Sequence, residues 1–142
     1  GNALEAIKIG KVLREFGSVT RIPRNGICAS ACVYSFLGGV VRFVDRDAKV
    51  GVHMHSIIRN DSAVNKLKQL LTGDKREADI RLRLMIAIIE KNSAKMTAKM
   101  ADYLVKMGIS LRLLVPNLET NHWDIYWLNR QELRRYNVVN TD

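Results

Sequence analysis

Residues 1–55 change hydrophobic period every few positions, and this alternation limits the possible folds more than any other feature of the chain. Ala6, Ile9, Leu13 and Phe16 recur at helical spacing opposite Lys8, Lys11 and Glu15, so residues 2–16 read as an amphipathic helix ended by Gly17. Residues 18–22 alternate polar and β-branched side chains and run into Pro23, Asn25 and Gly26, a short strand and its turn. Residues 29–37 are small and apolar and stop at Gly38 and Gly39, which predicts a buried helix. Residues 40–44 and 48–53 then read as two strands joined by a turn at 45–47, with Gly51 marking a place where backbone needs close approach. Strands alternating with helices predict an α/β domain in which helices cover a mostly parallel sheet.

From Asp61 the pattern is helical only. Residues 64–71, 79–90 and 94–107 are rich in Leu, Ile, Met, Lys and Ala and are separated by Thr72-Gly73-Asp74 and Lys91-Asn92-Ser93. The tail returns to mixed structure, with a strand at 124–128 and Asn129 capping a short helix over 130–136. No internal repeat and no low-complexity segment is visible. A chain of 142 residues with 47% apolar content suits one domain. Its parts are a core at 1–60 that holds the candidate chemistry, a helical arm at 61–110 and a C-terminal strand and helix at 111–142.

Several function classes fall away on composition. The longest apolar stretch, 82–89, is interrupted by Arg83 and closed by Glu90, far short of the roughly 20 residues of a membrane span. The net charge of +9 is spread over the chain without a dense basic block, so nucleic-acid binding is not expected. Cys28 and Cys32 form a single C-x3-C pair without a second pair, which leaves neither a metal site nor any cofactor motif to expect. The two cysteines suit either a disulfide in an oxidising compartment or two buried thiols in a reducing one. Gly1 leads straight into a helical pattern with no leader before it, so a trimmed chain is expected, any export signal lost with the missing segment.

The run Cys28-Ala29-Ser30-Ala31-Cys32 sets a serine between a turn and a buried helix, among the smallest side chains available. Such neighbours let a substrate carbonyl reach the hydroxyl, and the N–H groups of a first helical turn suit a developing oxyanion. The competing role is a helix N-cap. His53 ends a strand pattern and His55 lies on the same face two residues on; each is a candidate general base or a structural histidine.

In order and spacing these features resemble the Clp protease proteolytic subunit and its crotonase-superfamily relatives, in particular periplasmic members with a C-x-S-x-C nucleophile motif. The likeness is densest over 1–53 and over the last dozen or so residues, where Trp127-Leu128 through Val138-Val139 matches the family's ending. It implies a layered fold of repeated β-β-α units with a helical arm, truncated at the N-terminus. It also implies a serine peptidase acting on peptides, a homo-oligomer, and export to the periplasm. Residue by residue, it makes Ser30 the nucleophile, His53 the base with His55 in reserve, and Gly1 and Ala31 the oxyanion donors. Counting back from Trp127 places the third catalytic residue at Asn121, an amide where the family has an aspartate, with Glu119 and Asp124 nearby. Related signal-peptide peptidases use lysine instead, which brings in Lys66, Lys68 and Lys75. On the same likeness Cys28 and Cys32 brace the serine as a disulfide, and the Met/Leu stripe of 82–107 is core or oligomer contact. Trp123, Tyr126 and Trp127 read as packing residues. Two rival readings are a non-catalytic binding scaffold on the same fold and an acyl-CoA enzyme of the crotonase type.

Overall fold

The computed structural model describes residues 1–56, 64–65, 68–69 and 72–141. The chain forms two compact units, Gly1–His55 with Met100–Asp142, and Ser56–Lys99. The first unit is mixed α/β with two small sheets, where a single sheet was expected. It opens on helix α1 (Ala3–Glu15), capped by the Asn2 side chain, which accepts from the Leu4 and Glu5 N–H groups. Gly17, at φ +61, ends it.

Strand β1 (Val19–Ile22) turns at residues 23–26 into β2 (Ile27–Ala29), which leads to helix α2 (Ala31–Leu37). Strand β3 (Val41–Val44) then turns at 45–48 into β4 (Lys49–Val52). β1 pairs in parallel with β3, Val19 opposite Val41, and β2 pairs in parallel with β4, Ala29 opposite Gly51. The two strand–turn–strand units therefore lie side by side, and their turns are alike: Asn25 and Asp47 both sit at positive φ. Main-chain bonds from Asp45 to Ile22 and from Lys49 to Gly26 join them. No internal repeat is legible in the sequence, yet Arg24-Asn25 and Arg46-Asp47 occupy equivalent places in the two turns. A short strand β5 (Tyr126–Trp127) adds antiparallel to β4, Gly51 opposite Trp127. A Cβ at Gly51 would collide with the Trp127 ring and with Ile125, so glycine is required where the indole lies across the strand.

The packed face of α1 differs from the expected one. Ala6, Ile7 and Gly10 are buried, whereas Ile9 and Phe16 are 52% and 81% exposed. The helix turns this face inward because Gly10 meets Gly38 at the end of α2, and any Cβ at Gly10 would overlap the Tyr103 hydroxyl and the Tyr34 carbonyl. Close backbone approach outweighs the burial of two large side chains elsewhere on the helix. Cys28, Val33, Leu37, Val50, Val52, Met100, Tyr103, Leu104, Leu133 and Val138 fill the core of this unit.

Helix α3 (Lys75–Lys106) is continuous through Lys91-Asn92-Ser93, where a break was expected. These residues lower helix propensity by less than about 0.7 kcal/mol each and include no proline or glycine, too little to stop an established helix. Its stretch in the second unit exposes Ile80, Leu84 and Ile88 at helical spacing. Helix α4 (Leu114–Glu119) follows a tight 3-10 turn and was not legible in the sequence; Pro116 sits in its first turn, where the missing N–H costs nothing. Helix α5 (Arg130–Arg135) carries the expected Asn129 cap, completed as a capping box by Glu132. The tail returns along β3, where the buried Arg42 guanidinium donates to the carbonyls of Gly39, Asn137 and Val138. Trp123 is 75% exposed, whereas Trp127, though partly in solvent, packs across Gly51.

Candidate active site

Ser30 occupies the single residue between β2 and α2, at φ +60 and ψ −126. A non-glycine residue pays on the order of 1–3 kcal/mol for such a backbone and keeps it only where its surroundings dictate it. Two restraints do so here. The Ser30 N–H donates to the Gly51 carbonyl at 3.0 Å, extending the β2–β4 ladder by one bond. A disulfide joins Cys28 in β2 to Cys32 in the first turn of α2, with their Cα atoms 5.3 Å apart, and so clasps the chain on both sides of the serine. The Ser30 side chain makes no capping bond to α2, which removes the N-cap role and leaves a half-buried hydroxyl at a strand–helix elbow.

The next strand over carries the histidine. Because Ala29 lies opposite Gly51, Ser30 is level with Val52, and His53 follows one residue later at the same end of the adjacent strand. Neighbouring strands run about 4.8 Å apart. The His53 ring is half-buried, and its Nδ1 lies 2.8 Å from the Met54 carbonyl oxygen. A carbonyl only accepts, so this contact assigns a proton to Nδ1, and in the neutral ring the lone pair then lies on Nε2, the tautomer a general base needs. Ser30 and His53 make no hydrogen bond to each other.

Gly1 and Ala31 come together: a Cβ on Gly1 would lie 2.9 Å from that of Ala31, so the two expected oxyanion donors are neighbours. His55 is half-buried beyond the strand end. Asn121 does not meet the histidine. It is exposed, its carbonyl accepts from the Asp124 N–H, and its side chain makes no hydrogen bond to His53. Glu119 is exposed, and Asp124 bonds its own neighbour, the Ile125 N–H. The ring partner is therefore a main-chain carbonyl, a donor–acceptor pairing that residue type cannot reveal. Lys68 and Lys75 are exposed in the second unit, and Lys66 lies outside the described residues.

Three residues near His53 were missed. The peptide linking His53 to Met54 is held at both ends: its carbonyl accepts from Asn117 Nδ2 at 3.1 Å, and its N–H donates to the Thr120 carbonyl at 2.9 Å. Asn117 is 3% exposed, on α4. Beside its amide is the Tyr34 phenol of α2, whose ionisation is held far above the ordinary tyrosine range by burial, with the Asn117 amide pulling the other way. The available signal was an asparagine inside the otherwise apolar run 113–118. No family model and no curated protein matches the chain.

Proposed function

We propose that the chain is a serine peptidase-like hydrolase of the Clp/crotonase type. The observation that carries this reading is the backbone of Ser30, a serine held at positive φ on a strand–helix elbow without capping the helix it precedes. In this mechanism His53 Nε2 removes the Ser30 proton as Oγ attacks the acyl carbon, then passes that proton to the leaving amine. The Gly1 and Ala31 N–H groups take the oxyanion, the roles that the family likeness gives them. The Met54 carbonyl orients the imidazole but stabilises the imidazolium less than a carboxylate would, so turnover is slow. Peptides are the substrate class, the disulfide suits export to an oxidising compartment such as the periplasm, and the exposed Ile80, Leu84 and Ile88 suit a homo-oligomer.

A binding scaffold on the same fold is the second reading, favoured by the absence of a carboxylate on the His53 ring among the described residues. Fluorophosphonate labelling read by intact mass separates the two. A single adduct is expected, lost in Ser30→Ala and slowed about a hundredfold or more in His53→Ala. A folded chain that takes no adduct would leave the scaffold; acyl-CoA affinity without an adduct would instead favour a crotonase-type enzyme.

A further inference from the structure

We infer that Asn117 is the positioning residue for His53, the role that sequence spacing assigns to Asn121; the inference rests on the Ser30/His53 reading above. Strand β4 ends at Val52, so the peptide after His53 has no ladder partner to fix its plane. Asn117 Nδ2 supplies the hydrogen bond to its carbonyl, and the Thr120 carbonyl takes its N–H. That peptide joins the residue bearing the imidazole to the residue whose carbonyl binds Nδ1, so its orientation decides whether ring and carbonyl meet at 2.8 Å.

Asn117 is also placed to couple the two reacting elements. Tyr34, beside its amide, stands on the helix that starts immediately after Ser30, and the Tyr103 hydroxyl pins the Tyr34 carbonyl at 2.6 Å. Packing alone would favour an apolar residue here. Tyrosines apart, only Arg42 and Asn117 among the described residues are buried polar side chains, and Asn117 Oδ1 is buried without a hydrogen bond. A buried acceptor without a partner costs stability. Leucine, which flanks it at 114 and 118, would avoid that cost but could not hold the His53 carbonyl.

The test is a double-mutant cycle on the full chain, with the fluorophosphonate labelling rate of Ser30 as readout. Asn117→Leu is expected to slow labelling about tenfold to a hundredfold, with cooperative unfolding retained, and to have no further effect in a His53→Ala background. Asn117→Asp, which keeps the shape but loses the N–H donor, should fall the same way. Equal slowing in both backgrounds, or labelling at the unmodified rate, would overturn the inference. ¹⁵N chemical shifts of the His53 ring report independently of catalysis. A single Nδ1–H tautomer should become a mixture in Asn117→Leu, and an unchanged ring would overturn the positioning role even if labelling slows. Should the unmodified chain take no label, the hydrolase reading fails, and the positioning role for catalysis fails with it.

Discussion

At the scale of single residues, Ser30 combines its proposed chemical role with a backbone that its own side chain opposes. The hydroxyl contributes nothing to capping, while the φ of +60 costs free energy that glycine would not incur. Comparing Ser30→Ala with Ser30→Gly isolates that cost, since both remove the hydroxyl and only glycine relieves the backbone. Ser30→Gly is expected to be the more stable by about 1 kcal/mol in denaturant unfolding; equal stabilities would mean that the elbow is relaxed. The strand–helix elbow at Ser30 and the strand-end place of His53 were legible because turn residues, small neighbours and hydrophobic alternation are local signals. The orienting group was not, since Met54 acts through its carbonyl, which every residue carries. Spacing from Trp127 points to Asn121, and the fold instead brings in Thr120, one residue earlier, through its main chain.

Among the elements, α1 shows how a small residue can overrule periodicity. Its apolar positions suggest a face through Ala6, Ile9, Leu13 and Phe16; Ala6 is buried as expected, but the helix packs through Ala6, Ile7 and Gly10 and leaves Ile9 and Phe16 exposed. Alanine at position 10 would add up to about 1 kcal/mol of helix propensity. It would also drive a methyl group into the Tyr103 hydroxyl and the Tyr34 carbonyl, an overpacking that costs typically about 1–3 kcal/mol. Gly10→Ala is therefore expected to lower the thermal midpoint, and a rise would show that the contact between α1 and α2 has room to spare. The merged helix α3 and the unforeseen α4 have local origins. Lys91, Asn92 and Ser93 cost too little helix propensity to stop an established helix, and proline marks a helix start as readily as a break.

For the whole molecule, the balance of charge governs the response to acid. The chain carries a net charge of +9 at neutral pH, so protonating carboxylates adds to an existing repulsion. Asp45, after β3, receives two hydrogen bonds from Arg21 of β1, and chiefly for that reason its carboxyl is held below the ordinary carboxylate range. The folded value lies below the unfolded one, near 3.9. Its stabilising contribution is thus complete above that pH and is lost as the pH falls through the folded value. Asp45→Asn should melt lower than the unmodified chain near neutrality, and the two melting curves should converge in strong acid. A constant gap at every pH would assign the stabilisation to packing instead.

The pairing of two like strand–turn–strand units fixes more than the shape of the sheets. Ser30 follows the second strand of one unit and His53 follows the second strand of the other, each carried outward from a four-residue turn. One residue added to the turn at 45–48 would advance β4 by about 3.3 Å and carry His53 to the opposite face of the sheet, because side chains alternate along a strand. Two would restore the face but displace the imidazole by about twice that distance. On the proposed reading, the length of the turn at 45–48 therefore acts as the ruler that spaces the Ser30 hydroxyl from the His53 imidazole.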